Sequence, residues 1–330
     1  MIFSLLVSGI GFFILQTITS YHGLLLAIFL IMAVADMFRP AMFVSLGAYA
    51  KPENRTRALT LVRLAVNLGF AAGPAMAGLL IMNVGYKGLF WVDGASCILA
   101  ISIFWWQVKE KKKSIYTDKE HPGEVLTHSV FKDKPFWIFL FGTLITGILF
   151  FQLFTTLPLY HKEQFNLTEF QSGLLLTLNG LLIFFLEMPI VSYIEKHKIN
   201  KLKILAYGCF AMAGSFYILL WNGWAGFLII MMLFMTFGEM LAFPFSNSFA
   251  MSRAPIGHEG RYMAIFTMSF SMAHILSAKT GMEIIDRFSY QGNWFFMGTL
   301  GFIGVLLFYW VIKLVRKEPA RNLLTKKEVN

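Results

Sequence analysis

Ten apolar segments, each about as long as a lipid bilayer is thick, constrain this chain more than any other feature. They span residues 1–18, 23–48, 59–83, 88–106, 135–160, 169–194, 202–221, 224–248, 260–283 and 293–313. A hydrocarbon core about 30 Å thick requires roughly 20 apolar residues per helix, and backbone groups in lipid must be hydrogen-bonded within the protein. The strands of a membrane barrel would be about ten residues long with alternating character. The pattern therefore predicts an all-α integral membrane protein with ten transmembrane helices.

The four segments before the central charged loop are repeated by the last four segments, at an offset of about 204 residues. Pro40 aligns with Pro244, and Arg57 aligns with Arg261. The two middle segments have no counterparts, because these would lie upstream of Met1. The repeat predicts a twofold protein with six helices in each half, equivalent to helices 3–12 of a twelve-helix fold. We therefore expect that the first two helices are absent.

Basic residues are concentrated in alternate connections. The basic stretches are residues 49–58, 107–134, 195–203 and 252–261 and the tail from Lys313. The opposite connections together hold Lys87, Lys162 and Arg287. Because basic loops stay on the cytoplasmic side, both termini are predicted to be cytoplasmic. The net charge of +10 does not indicate nucleic acid, since that would need a contiguous basic face on a soluble module.

Composition divides the chain into four parts. Residues 1–106 form an incomplete N-terminal half of four helices, and residues 107–134 form a cytoplasmic linker of mixed charge. Residues 135–315 form a C-terminal half of six helices, and residues 316–330 form a polar cytoplasmic tail.

Motifs of enzymes and metal sites are not found in the sequence. There is no H-E-x-x-H, G-x-S-x-G or paired-aspartate protease motif, and no Walker loop. Cys97 and Cys209 both lie in apolar segments, which does not suit a disulfide scaffold or a zinc site. The sequence therefore predicts neither an enzyme nor a nucleotide-driven pump, and no metal or cofactor.

Ionisable side chains inside the apolar segments are the candidate functional groups, because a charge in hydrocarbon is costly and usually faces a cavity or a partner. Asp36 and Arg39 lie three residues apart on one helix face and could carry or gate a proton. Glu187 and Glu239 could load and release protons in a low-dielectric cavity, and His274 could titrate. The alternative is that each of these side chains only braces its helix.

Small residues form a second pattern in segment 59–83. Gly69, Gly73, Pro74 and Gly78 give the spacing G-x3-G-P-x3-G. Glycines four residues apart lie on one helix face and allow a neighbouring helix to approach closely, while a mid-helix proline bends the segment. Ordinary helix packing is the alternative explanation.

Phenylalanines cluster in several helices that are candidates for lining a cavity. They are Phe150, Phe151, Phe154, Phe184, Phe185, Phe243 and Phe245. Such a cluster could form an adaptable hydrophobic pocket for drug-like compounds. Contact with lipid or packing in the core is the alternative favoured for most of them.

These features together resemble the major facilitator superfamily, over essentially the whole chain. Gly69, Gly73, Pro74 and Gly78 match the fifth-helix antiporter motif of that family, G-x3-G-P-x2-G-G, with Ala77 at the first paired glycine.

Two further stretches are similar to the same family. They are Pro40-Ala41 with Pro52-Glu53-Asn54-Arg55, similar to its fourth helix and following turn, and Gly260-Arg261-Tyr262-Met263, similar to the tenth-to-eleventh helix region of drug/proton antiporters. The hallmark loop of the family, G-x-x-x-D-R-x-G-R-R, would lie before Met1.

The resemblance implies a secondary transporter that works by alternating access, in which the four-helix and six-helix blocks rock around a central cavity. Our leading hypothesis is proton-coupled efflux of small amphipathic compounds by a multi-pass monomer in the cell (inner or plasma) membrane. The expected partners are a small-molecule substrate, protons and the lipid bilayer. The alternatives are a solute or peptide symporter of the same fold, and a truncated fragment that does not transport.

The alternation of basic loops predicts that residue 121 is cytoplasmic and residue 163 is outside the cell. With single cysteines introduced as His121→Cys or Glu163→Cys, a membrane-impermeant maleimide should label position 163 in intact cells. Position 121 should react only after the membrane is permeabilised, and the unmodified chain gives the background from Cys97 and Cys209. Labelling of position 121 in intact cells would overturn the topology.

Overall fold

The structure is a computed structural model of the protein. It describes residues 1–38, 42, 55–107, 130–221, 223–254 and 259–318. Within these ranges, the side chains of residues 55–61, 63, 64, 67, 71 and 259 are not described. These ranges are helical apart from short connections and contain no strand. The chain forms two compact units, one up to Gly123 and the other from Glu124.

The first unit contains four helices in its described residues: α1 (Ile2–Leu15), α2 (Tyr21–Ala35), α3 (Arg55–Val84) and α4 (Tyr86–Gln107). Helix α1 packs against α4 and α2, and α3 packs against α4. Gly85 separates α3 from α4 with a φ angle of 78°, in the left-handed region that glycine adopts without steric cost. The chain therefore turns sharply between these two helices.

The second unit contains seven α-helices in its described residues. They are α5 (Lys134–Phe151), α6 (Thr156–Phe165), α7 (Glu169–Lys196), α8 (Lys201–Ile218), α9 (Gly226–Arg253), α10 (Glu259–Arg287) and α11 (Tyr290–Lys317). Helix α8 packs most extensively against α9 and α11, and α5 packs against α10 and α11. The core between them includes the fully buried rings of Phe216, Trp294 and Phe308.

Glycines set the closest approach between α8 and α9. A Cβ atom on Gly208 would lie 2.7 Å from the carbonyl oxygen of Gly238, and a Cβ on Gly238 would lie 2.7 Å from the carbonyl oxygen of Gly208. Neither position can carry a side chain without separating the helices. Small residues at helix contacts are typical of membrane proteins, where lipid provides no hydrophobic drive for helix association.

Five helical spans are long and apolar enough to cross a membrane. They are Tyr86–Gln107, Lys134–Phe165, Glu169–Lys196, Gly226–Arg253 and Tyr290–Lys317. Shorter apolar helices are found at Ile2–Leu15, Tyr21–Ala35 and Leu68–Val84. Each of the ten predicted apolar segments contains a helix in the described residues, so the predicted all-helical membrane architecture is confirmed. Segment 135–160 differs from the prediction, because its helix is broken between α5 and α6.

A buried hydrogen-bond network holds the break between α5 and α6. The side-chain amide of Gln152 donates to the carbonyl oxygen of Ser277 at 2.9 Å and to its Oγ at 2.8 Å. The amide oxygen of Gln152 accepts from Thr156 Oγ1 at 2.5 Å and from Asn293 Nδ2 at 3.1 Å. These partners come from α6, α10 and α11. The hydrogen bonds of Gln152 therefore connect the end of α5 to three other helices and stabilise the break.

A second network joins the ends of four helical elements. Arg253, the last residue of α9, donates to both carboxylate oxygens of Asp133 at 2.8 Å and to both of Glu318 at 2.6 Å. Tyr262 Oη donates to Asp133 Oδ2 at 3.0 Å, and Asp133 also caps α5 by accepting from the backbone N–H of Phe136. The ion pair is buried, since the side chains of Arg253 and Asp133 are 5% and 6% exposed.

We predict that Arg253→Ala destabilises the second unit strongly. Removing one member of a buried ion pair leaves an uncompensated charge and costs about 3–5 kcal/mol. The matched control is Arg287→Ala, which removes an ion pair with Glu283 whose side chains are 68% and 48% exposed; such surface pairs contribute about 0.5 kcal/mol. Thermal unfolding in detergent should show a much lower melting temperature for Arg253→Ala. Equal melting temperatures would contradict the buried ion pair.

Candidate functional site

Glu239 lies on α9, directly after the glycine that contacts α8, and its side chain is half-buried. Asn179 of α7 is 8% exposed, and its Nδ2 donates to Glu239 Oε2 at 3.0 Å and to Thr236 Oγ1 at 2.9 Å. Thr236 is three residues before Glu239 and therefore shares its helix face. One amide on α7 thus holds two polar side chains of α9.

The partners of Glu239 are uncharged. Within the part of the chain that the structure describes, Glu239 forms no ion pair, and its hydrogen-bond partner is the amide of Asn179. The protonation state of Glu239 can therefore change without leaving an opposite charge unpaired. This is the property that a proton-carrying group needs in a low-dielectric setting.

An aromatic cluster adjoins the same stretch of α9; it consists of Phe150, Phe151, Phe154, Phe243 and Phe270. Phe243 lies four residues after Glu239, hence on the same helix face. Its ring packs edge-on against Phe150 with centroids 4.8 Å apart, and against Phe270 with centroids 5.6 Å apart. Phe150 also contacts Phe151 and Phe154.

All five members of the cluster are incompletely buried: Phe154 is 39% exposed, and Phe150, Phe151, Phe243 and Phe270 are half-buried. The second unit therefore presents aromatic surface near a carboxyl group.

His274 and Glu187 lie apart from the Glu239 carboxyl group. His274 is exposed on α10 and stacks on Phe151, with ring centroids 4.4 Å apart and an interplanar angle of 18°. Glu187 is 5% exposed. It lies eight residues after Asn179 on α7, about 12 Å along the helix axis, so Glu187 and Glu239 do not share the same amide.

Of the predicted pair Asp36 and Arg39 in the first unit, the structure describes Asp36. Asp36 is exposed and follows Ala35, the last residue of α2, and its backbone N–H donates to the carbonyl oxygen of Met32 at 2.9 Å. Arg39 lies outside the described residues.

The glycine motif lies on α3. Gly69 and Gly73 are exposed, and a Cβ atom at either position would meet no described atom within 4 Å. Pro74 is inside the helix, which continues to Val84, and Gly78 is buried. Among the described residues, no neighbouring helix packs against Gly69 or Gly73.

Sequence reasoning missed Asn179 and Thr236. A signal was available for Asn179, which stands within the apolar run from Leu174 to Leu186 and needs a hydrogen-bond partner there. Thr236 gave no such signal, because a threonine inside a helix can satisfy its hydroxyl on its own backbone. The described residues contain no group of three or more His, Cys, Asp or Glu side chains that could hold a metal ion.

Comparison with known proteins identifies the family. The family model of the Major Facilitator Superfamily matches residues 1–278. An uncharacterised MFS-type transporter, YttB, of Bacillus subtilis is 25% identical over 76% of this chain and 62% of that protein. A Na⁺, Li⁺, K⁺/H⁺ antiporter of Planococcus maritimus is 19% identical over 87% of this chain and 73% of that protein. The chain thus spans less than two thirds of the Bacillus relative.

A solved structure has the same fold. The crystal structure of a POT family transporter in complex with 5-aminolevulinic acid matches with a TM-score of 0.76 and 16% identity, over 96% of this chain and 81% of that chain. The predicted major-facilitator-like helical bundle is therefore confirmed. With its apolar helices and a family match over most of its length, the chain belongs to the Major Facilitator Superfamily.

Proposed function

We propose that this chain is a proton-coupled secondary transporter that exports small amphipathic compounds by alternating access. The observation that carries the proposal is the carboxyl group of Glu239, which accepts a hydrogen bond from the neutral amide of Asn179 beside an aromatic cluster. Membership of a transporter family and an antiporter among the relatives support it.

The simplest form of antiport uses one site that a proton and a substrate occupy in turn. In its ionised form, Glu239 attracts the polar or cationic end of an amphipathic compound, while the rings of Phe243 and Phe150 contact its apolar end. When Glu239 binds a proton, that attraction is lost and the compound is released. Alternation between the two occupants couples inward proton flow to export.

The remaining ionisable candidates have supporting roles in this proposal. The offset of about 204 residues makes Asp36 equivalent to position 240, next to Glu239, so Asp36 with Arg39 is the corresponding polar pair of the first unit. His274 and Glu187 contribute to substrate contact or proton access in the second unit. Of the glycines of α3, Gly78 is buried and suits a close helix contact. The protein is a monomer in the cell membrane with both termini in the cytoplasm.

Exchange of alkali cations for protons is a second candidate function. The relative from Planococcus maritimus is named as a Na⁺, Li⁺, K⁺/H⁺ antiporter. Glu239 Oε2 and Thr236 Oγ1, which both accept from Asn179 Nδ2, are oxygen atoms of the kind that hard cations bind. Cation-dependent movement of protons in the absence of any organic substrate would favour this function.

We predict that Glu239→Gln abolishes proton-driven transport, because an amide side chain cannot bind and release a proton. In liposomes that contain the purified chain, an imposed pH gradient should drive accumulation of the fluorescent cation ethidium by the wild type and not by this variant. Asp36→Asn should have the same effect. The matched control is Glu195→Gln, which changes an exposed carboxyl group near the end of α7 and should leave accumulation unchanged.

Folding of each variant is checked by its melting temperature, so that loss of transport is not confused with loss of structure. Normal accumulation by a folded Glu239→Gln variant, with normal dependence on pH, would reject Glu239 as the coupling group. It would favour the explanation that Glu239 and Asn179 only brace α7 against α9.

A further inference from the structure

The hydrogen bonds around Asn179 have a defined direction. The hydroxyl of Thr236 donates to the carbonyl oxygen of Met232 at 2.6 Å. Its oxygen can therefore only accept from Asn179, which lies at 2.9 Å, so the amino group of Asn179 must point towards it. An amide has two N–H donors on one nitrogen, and the second donates to Glu239 Oε2 at 3.0 Å.

We propose that Thr236 and Asn179 are positioning residues that give the two carboxyl oxygens of Glu239 different roles. Oε2 accepts from Asn179 in both protonation states, and the transported proton binds at Oε1. This inference rests on the proposed function in taking Glu239 as the proton-carrying group. Oε1 suits the role, because it has no hydrogen-bond partner among the described residues, so a proton can bind there without breaking a hydrogen bond.

The competing arrangement places the proton on Oε2. Asn179 would then have to turn its carbonyl oxygen towards the protonated carboxyl group, which brings that oxygen towards Thr236 as well. The Thr236 hydroxyl would need to leave the carbonyl oxygen of Met232 and rotate towards Asn179. Since Asn179 is 8% exposed and Thr236 is fully buried, water cannot replace a bond that is lost during this change.

Other titratable groups on the helices packed against α9 have different neighbours. Glu187 lies about 12 Å from Asn179 along α7, and His274 of α10 stacks on Phe151. Lys201 of α8 donates to Ser248, nine residues beyond Glu239. None of these groups forms a hydrogen bond or an ion pair with Glu239 in the described part of the chain, so the uncharged Asn179 and Thr236 determine how its carboxyl group is oriented.

Infrared difference spectroscopy tests the proposal directly. Spectra of the purified protein are recorded while the pH is lowered until Glu239 is protonated, and its C=O stretching band is identified as the band that Glu239→Gln removes. If the proton is on Oε1, the carbonyl oxygen is Oε2, which accepts from Asn179. The wild-type band should then have the lowered frequency of a hydrogen-bonded carbonyl group, and Asn179→Leu should shift it to higher frequency.

Variants of Thr236 extend the test. Thr236→Ser keeps the hydroxyl and should keep the wild-type band, whereas Thr236→Val releases the amide of Asn179 to turn and should shift the band upwards. Glu187→Gln removes another carboxyl group from the membrane helices and should leave the Glu239 band unchanged. A purely structural role for Thr236 and Asn179 would lower the melting temperature without moving the band.

A wild-type band that already has the frequency of a free carbonyl group, and that Asn179→Leu leaves in place, would overturn the proposal. The measurement needs no transport. If the band shifts as expected while Glu239→Gln still accumulates ethidium normally, the assignment of Oε1 and Oε2 stands and the proposed function fails.

Discussion

Polar side chains inside apolar helices must find hydrogen-bond partners on neighbouring helices, and the second unit is organised by this requirement. A buried donor or acceptor without a partner costs about 1–3 kcal/mol, and no water is available in hydrocarbon to supply one. Gln152 meets the requirement by bonding to α6, α10 and α11, and Asn179 meets it by bonding to α9. The side chains of Gln152 and Asn179 therefore favour particular helices as neighbours.

The buried ion pairs of the second unit lie in a different place from the hydrogen bonds between α7 and α9. The buried ion pair of Arg253 joins the ends of helices, where Asp133 precedes α5 and Glu318 follows α11. Between α7 and α9, by contrast, the described hydrogen bonds involve an amide, a hydroxyl and one carboxyl group. The loss of hydration of two paired charges in a low-dielectric interior can exceed the gain from their attraction. A single carboxyl group with neutral partners avoids this cost whenever it is protonated.

The sequence predicted the helices well, because their apolar length does not depend on their neighbours. It also predicted Glu239 as a candidate functional group, since an ionisable residue stands out within an apolar segment. The break between α5 and α6 was missed, because segment 135–160 is apolar on both sides of Gln152. Arg253 was assigned to a basic connection, whereas it ends α9 in a buried ion pair.

What could not be predicted depends on contacts between distant parts of the chain. Asn179 and Thr236 are 57 residues apart, and Arg253 and Asp133 are 120 residues apart. Apolar periodicity shows which residues form helices, but it does not show which helices pack together. Glu187 and Glu239 therefore looked equivalent in the sequence, and only the position of Asn179 distinguishes them.

The same reasoning separates the two acidic residues that the internal repeat relates. In the sequence, Arg39 follows Asp36 by three residues, whereas residues 236–242 around Glu239 include no basic side chain. Glu239 has an amide as its neighbour, which bonds to the carboxyl group whether or not a proton is present. If one of the two changes its charge during a transport cycle, the chemistry of the neighbours therefore favours Glu239. In our proposal, Asp36 with Arg39 is therefore the corresponding polar pair of the first unit, and Glu239 of the second unit is the group that exchanges the proton.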